Sequence, residues 1–417
     1  MPQCIVNHMV HAWMRITPLP HVAHNNVSSA DSRSISILLL WLRMRLCSVC
    51  TLTDTNLGTR VGAHSQYVIL FFNQNILMTA THPIRILSID GGGIFGLIPL
   101  HVLSFIENHT QRPIVDTFDY ISGTSSGGII ALALSCPDHA HRPRYTAHDV
   151  MKEFIGQAPL IFSKSWPHKM LSWLPIIKYT YPMLFPKYID APGKQAFHHL
   201  FGDVRLSQAL KPTLVATYAL TKPNPELVVF NSVSAGANSK NNKPDFWVKD
   251  IAFATSAAPT LFPPQKIHCL REKQDPHALA YPFIDGGIAM NNMSLFVYAH
   301  ARKKHPNHPI HILSLGQRRS PVLIDHSQSA YMGWLSWLKK ADSLITPPQN
   351  SGQQAVLKKL ISQSAHPDTY TRIQPVHDPA FKDFDTVTSS HMTAIMNIAQ
   401  TTCEKNHSKI IEYLNKK

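Results

Sequence analysis

The apolar and polar positions of this chain of 417 residues form short apolar runs that stop at glycines, separated by longer stretches of helical period. One run starts at Ile84 and ends where Asp90 meets Gly91, Gly92 and Gly93. Another, apolar and aromatic, ends at Ile121 and passes through Ser122-Gly-Thr-Ser-Ser-Gly-Gly128 into an Ala- and Leu-rich stretch from Ile129. A third closes on Phe283-Ile-Asp285 before Gly286 and Gly287, and a fourth occupies residues 310–315. Such runs, bounded by turn residues, read as strands, and the stretches between them as helices. Residues 368–375 predict a turn. Met392, Ile395, Met396 and Ala399 recur at helical spacing and predict a closing helix over about 389–414. This alternation predicts an α/β fold: a three-layer sandwich with a mainly parallel central sheet and a site at the carboxyl ends of its strands. No internal repeat is present.

The two glycine-rich turns carry the candidate chemistry. Ser125 stands at the centre of a Gly-x-Ser-x-Gly running from Gly123 to Gly127. A strand turning sharply into a helix there holds the serine exposed and strained at a helix N-terminus, where amides and the macrodipole favour negative charge. The turn after Asp90 has the same strand-to-helix form, and its glycines let backbone amides approach a substrate closely. A nucleophile and an oxyanion hole are the chemistry this pair suggests. A rival reading exists for the first turn. The glycines up to Gly96 also satisfy a dinucleotide fingerprint, with Asp116 where a ribose-binding acid would stand. Against it, a cofactor site does not require the second glycine-flanked serine turn.

Asp285, followed by two glycines, is an ordinary Asp-Gly turn in isolation. In company it means more: Asp-Gly-Gly-Gly, Gly-x-Ser-x-Gly and Asp-Gly-Gly in this order resemble the patatin-like phospholipase family, which uses a Ser-Asp dyad. The blocks Phe201-Gly-Asp-Val-Arg-Leu-Ser207, Pro212-Thr-Leu-Val-Ala-Thr-Tyr218, Ala254-Thr-Ser-Ala-Ala-Pro-Thr-Leu-Phe-Pro-Pro264 and Ile312-Leu-Ser-Leu-Gly316 extend the likeness. The resemblance implies a patatin-like catalytic domain over 84–316, with Ser125 and Asp285 catalytic and Gly91, Gly92 and Gly93 forming the oxyanion hole. Asp90, Gly96, Gly123, Gly127, Gly286 and Gly287 complete its motifs. Two positions depart from the family pattern: Phe95, where Arg or Lys is common, and Met293, where Pro is frequent.

The chemistry expected of these residue types is ester hydrolysis. A serine hydroxyl becomes a nucleophile when a base takes its proton, and a carboxylate in a partly dry pocket can do so. Attack by Ser125 on a fatty acyl ester would form an acyl-enzyme that water, activated by Asp285, then hydrolyses. Amides of the glycine turn, with Gly92 and Gly93 foremost, would stabilise the oxyanion, each donor being worth about 3–4 kcal/mol. Phospholipids or related glycerolipids are the implied substrates, with no cofactor and no metal. Two alternatives remain: an acyltransferase using the same acyl-enzyme, and a catalytically inactive membrane-binding protein. Among 25 histidines, His311, His366, His377 and His391 follow Ser125 in an order a Ser-acid-His triad permits, but none has a recognisable catalytic context. No His-Glu-x-x-His and no paired Cys-x-x-Cys supports zinc.

A net charge of +14 implies attraction to polyanions. No nucleic-acid-binding signature accompanies it, so an anionic membrane surface is the expected contact. The six scattered cysteines form no disulfide framework and suggest free thiols or a reducing compartment. Residues 1–77 contain neither Lys nor Glu and little periodicity. They read as an extension, either a disordered or targeting segment or the product of a start upstream of Met78. Their apolar run at 35–42 is too short to span a bilayer, which needs about twenty residues, and lacks the order of a signal core. A cytoplasmic protein, or one exported by a non-classical route, is expected. The aromatic, lysine-dotted and proline-broken residues 161–188 read either as an interfacial loop or as core packing, as do residues 334–340. Residues 317–417 are expected to be a helical segment packed on the catalytic domain. Nothing in the chain indicates its oligomeric state.

Overall fold

The computed structural model describes residues 82–164, 185–220, 224–236, 244–270, 281–317, 326–329, 332–333, 341–375 and 384–416. The expectations for residues 1–77, for 334–340 and for most of 161–188 lie outside these. The described residues belong to one compact unit.

Eight strands form one sheet: β1 (Ile84–Ile89), β2 (Tyr120–Thr124), β3 (Thr213–Ala219), β4 (Glu226–Asn231), β5 (Gln265–Ile267), β6 (Tyr281–Asp285), β7 (Ile310–Leu315) and β8 (Thr369–Ile373). Their order is β5-β6-β3-β2-β1-β7-β8, with β4 also paired to β3. The run from β3 to β8 is parallel throughout, and β4, β5 and β6 are antiparallel additions. The helices longer than a single turn are α1 (Leu97–Thr110), α2 (Ser126–Leu134), α3 (Ala147–Ile161), α4 (Asp190–Phe201), α5 (Val248–Ser256), α6 (Ser294–Lys304), α7 (Ala341–Ser362), α8 (Ser389–Lys405) and α9 (His407–Asn415).

The parallel strands are apolar on both faces because helices cover both. Leu87, Ile89, Ile121, Val215, Leu313 and Leu315 point into one core with residues of α1, α2, α3, α5 and α8. Ile86, Leu214, Ile310 and Ile312 point into the other with Val297 and Ala301 of α6 and Leu357 of α7. The described unit is thus a three-layer α/β sandwich. Every residue of α2 is buried, which explains why its sequence is apolar all round instead of striped.

Two expectations for the C-terminal part are corrected. Residues 368–375 are not a turn: Thr369–Ile373 is β8, parallel to β7 from His311 to Leu315. The flanking Asp368 and Pro375 carry the turn signal, but the β-branched and aromatic residues between them favour extended backbone once a partner strand is present. The closing helix is two helices. At Asn406 the backbone leaves helical geometry (φ −108°, ψ 9°), and the Asn406 side-chain amide donates to the Thr402 carbonyl at 2.8 Å.

One pairing positions the site. β4 takes one edge of β3 from Leu214 to Ala219. The opposite edge is shared, with β2 along residues 213–216 and β6 along 217–219. β2 runs parallel to β3 and β6 antiparallel, so their carboxyl ends meet head to head. Thr124 stands opposite Ala216 and Asp285 opposite Thr217.

Candidate active site

Ser125 leaves the end of β2 with φ 55° and ψ −130° and begins α2. An L-residue at positive φ with this ψ is strained, as a serine in a nucleophile elbow is. Neighbours hold it there. The Ser125 amide donates to Thr255 Oγ1 at 2.9 Å, and that hydroxyl donates to the Ala216 carbonyl at 2.6 Å, which ties the elbow to β3. The elbow also needs its flanking glycines: a Cβ on Gly123 would lie 2.2 Å from the Gly127 carbonyl oxygen, and one on Gly127 2.4 Å from that of Ile89. The Ser125 side chain caps no helix amide.

Asp285 is 7% exposed. Its amide donates to the Ala257 carbonyl at 3.0 Å, and its Oδ1 accepts the Gly287 amide at 2.7 Å. Gly286 lies flat on β3, where a Cβ would come 2.3 Å from the Ala216 oxygen. Asn291 bridges this end of the site to the glycine turn. Its Oδ1 accepts the Gly91 amide at 3.1 Å and lies 3.4 Å from the Cβ position of Gly287. The corresponding position of Gly91 is 2.8 Å from Ser125 Cβ. The structure therefore gathers the glycine turn, Ser125 and Asp285 in one place.

Within the turn, the amides differ. Gly91 donates to Asn291, and Gly92 donates to Ser126 Oγ at 3.2 Å. Gly93 adopts φ 60° and opens a short 3-10 turn, Gly93–Gly96, with its Cα against the Phe384 carbonyl. Its N–H has no acceptor among the described residues, and the first-turn amides of α2 lack intrahelical acceptors. Gly96 packs on Ile130 and Phe154. Phe95 is buried in the main core and Met293 in the second, so at both departures from the family pattern an apolar side chain fills space.

Asp90 is almost fully buried beneath the turn. Its carboxylate receives a two-pronged interaction from Arg372, with Nη1 to Oδ1 at 2.8 Å and Nη2 to Oδ2 at 2.5 Å. Asn350 of α7 also approaches Oδ2, at 3.4 Å. Burial pushes the Asp90 carboxyl up from the ordinary carboxylate range, opposed by Arg372. Burial also opposes the charge of Arg372, but the carboxylate more than offsets this and strengthens the guanidinium's hold on its proton. Both Asp90 oxygens accept N–H donors from a guanidinium that does not deprotonate in this setting, so the pair is ionic.

Several of these residues have weak sequence signals. Thr255 lies within a block that resembles the family, and Asn291 within the Asp285 segment, but nothing local marks their roles. Gln317 follows β7; its Oε1 accepts the Ser126 hydroxyl at 2.8 Å, and its Nε2 donates to the Asp90 carbonyl. Arg372 is an arginine in an alternating edge strand, with no motif around it. The rival readings do not converge on this place. Asp116 is exposed in a single helical turn, Ile114–Thr117, before β2 begins, at the strand end opposite the glycines. His311 is near the start of β7, with Nδ1 2.9 Å from Thr369 Oγ1, and His391 packs edge-on to Phe95. His377 lies outside the described residues. Among the described residues, no cluster of His, Cys, Asp or Glu could hold a metal ion, and no helix is long and apolar enough to cross a membrane.

A family model described as patatin-like phospholipase matches residues 87–295. Patatin-like protein 2 of Arabidopsis thaliana is 35% identical over 221 residues, 51% of this chain and 51% of that protein. Patatin-like protein 1 of Oryza sativa subsp. indica is 28% identical over 359 residues, 78% of this chain and 83% of that protein. The chain spans about half the length of the first curated relatives it matches. Among solved structures, human GIVD cytosolic phospholipase A2 aligns over 57% of this chain and 46% of its own at 14% identity, with a TM-score of 0.31.

Proposed function

Because the chain belongs to the patatin-like phospholipase family, we propose that it is a lipid acyl hydrolase acting on phospholipids or related glycerolipids, with Ser125 as nucleophile and Asp285 as its base. The observation that carries this reading is the head-to-head meeting of β2 and β6 on one edge of β3, which ends one strand at a strained serine and the other at a buried aspartate. Asp285, with one oxygen pinned by the Gly287 amide, accepts the Ser125 proton as Oγ attacks the ester carbonyl. Negative charge then develops on the carbonyl oxygen. The Gly93 amide and the α2 first-turn amides are the donors left for it. Gly91 and Gly92, whose amides already have protein acceptors, shape the turn. The proton held on Asp285 passes to the departing alcohol, and water, deprotonated by the same carboxylate, releases the fatty acid. The excess of 39 Lys and Arg over 25 Asp and Glu supports an anionic lipid surface as the place where substrate is met.

The test is covalent. A fluorophosphonate should label the purified protein at Ser125, and Ser125→Ala should lose both labelling and ester hydrolysis. Asp285→Asn should fall by about a thousandfold or more, as other base knockouts do. Hydrolysis of phospholipid in anionic vesicles should weaken as salt rises, whereas a water-soluble ester should not show this dependence. Full activity in Ser125→Ala would end the reading.

A further inference from the structure

Asp90 carries a buried charge, yet it touches neither Ser125 nor Asp285 in any described contact, and its role must be sought in what surrounds it. Its amide donates to Leu315 of β7 at 3.0 Å, its carbonyl accepts from Gln317, and its carboxylate meets Arg372. All three partners come from the chain beyond the 87–295 region that the family model matches. Arg372 belongs to β8, and β7 lies between β8 and β1. The arginine therefore reaches across a whole strand. The route is open because β7 is followed by Gly316: a Cβ there would lie 2.8 Å from Arg372 Nη2 and 2.5 Å from Gln374 Oε1. On the way, Arg372 Nη1 donates to Ser314 Oγ at 2.7 Å and Nε donates to Gln374 Oε1 at 3.0 Å. Each donor group of the guanidinium is thus engaged, and its fork faces the carboxylate in one orientation.

We propose that Arg372 is a positioning residue for the reaction: held across β7, it clamps Asp90 and so sets the glycine turn whose Gly93 amide receives the oxyanion. The proposal rests on the reading of Ser125 as nucleophile. Two physical effects act together. A bidentate clamp on the residue that begins the turn limits the drift of Gly91, Gly92 and Gly93, and oxyanion donors act only within a narrow range of distance. The guanidinium also cancels a buried carboxylate that would otherwise oppose negative charge developing nearby. Lysine at this position retains the charge but not the fork.

The experiment compares wild type, Arg372→Lys, Arg372→Gln and the pair Arg372→Gln/Asp90→Asn. It measures the rate of fluorophosphonate labelling and kcat and KM on a soluble ester, each per labelled site. Counting labelled sites separates lost catalysis from lost folding. Arg372→Gln should lower kcat and the labelling rate by about tenfold or more, short of the effect of losing an oxyanion donor outright, with KM within about threefold. Arg372→Lys should fall between it and wild type. The double variant should recover several-fold over Arg372→Gln, because the uncompensated charge is gone. A per-site kcat within twofold of wild type in Arg372→Lys and in whatever folded Arg372→Gln is recovered would overturn the clamp. If wild type itself is not labelled at Ser125, the nucleophile assignment and the clamp fall together; labelled wild type with unaffected Arg372 variants removes only the clamp.

Discussion

At Ser125 the backbone conformation has a measurable cost. With φ 55°, the residue occupies a region that disfavours any Cβ by about 1–3 kcal/mol. Glycine escapes that penalty but loses more chain entropy on folding, by about 0.5–1 kcal/mol. Ser125→Gly should therefore be more stable than Ser125→Ala by about 1 kcal/mol while both are inactive, as read by urea denaturation. Equal stabilities, or a less stable glycine variant, would mean that the elbow is unstrained in solution. Residue roles were legible to different degrees for a physical reason. Ser125 and Asp285 sit beside glycines that a sharp turn requires, so short-range pattern marks them. Arg372, 282 residues from its partner Asp90, is marked by nothing local, because only the completed sheet brings β8 within reach.

Among the elements, β8 shows how a buried polar residue anchors an edge. Asp368, just before the strand, is buried and receives Arg302 through both oxygens at 2.6 and 2.7 Å. It also receives the Tyr298 hydroxyl at 2.8 Å, the Ser364 hydroxyl at 2.7 Å and the Ile310 amide at 2.8 Å. One carboxylate thereby joins α6, the end of α7, β7 and β8. Burial alone would push this carboxyl up, but the hydrogen bonds from Ser364, Ile310, Tyr298 and Arg302 together hold it below the ordinary carboxylate range. Asp368→Ala should cost about 3–5 kcal/mol, since it leaves a largely buried guanidinium unpaired. The pH dependence has a definite sign. A folded-state value below the unfolded one stabilises above about pH 4 and stops doing so as the carboxyl protonates under acid. The stability gap between wild type and Asp368→Ala should therefore narrow as pH falls below about 4; a gap unchanged down to pH 2 would show that the ionised carboxylate is not the source. The same element explains the misread turn, because the features that mark Asp368 as a turn residue also suit it to accept four donor groups beside a strand. The break at Asn406 was equally hidden, since apolar residues continue on both sides of it while helical backbone geometry does not.

For the whole molecule, the layered architecture was legible because runs such as Ile86-Leu-Ser-Ile89 are apolar on both faces and pack under helices on each side. The sharing of one β3 edge by two strands was not, since pairing partners and register leave little trace in a single sequence. That shared edge makes the fold intolerant of length change at one spot. Extra residues in the exposed turn at 139–142, between α2 and α3, only enlarge a connection, and doubling such a connection costs about 0.6 kcal/mol in closure entropy. One extra residue inside β2 or β6 would advance a strand end by about 3.4 Å and turn its side chains to the opposite face. With the two ends already opposite consecutive residues of β3, the strands would collide, or Ser125 and Asp285 would face different layers. An insertion scan read by catalysis should find these two short strands closed to change and the exposed turn between α2 and α3 open, so that evolution can lengthen this protein between its nucleophile and its base but not at either.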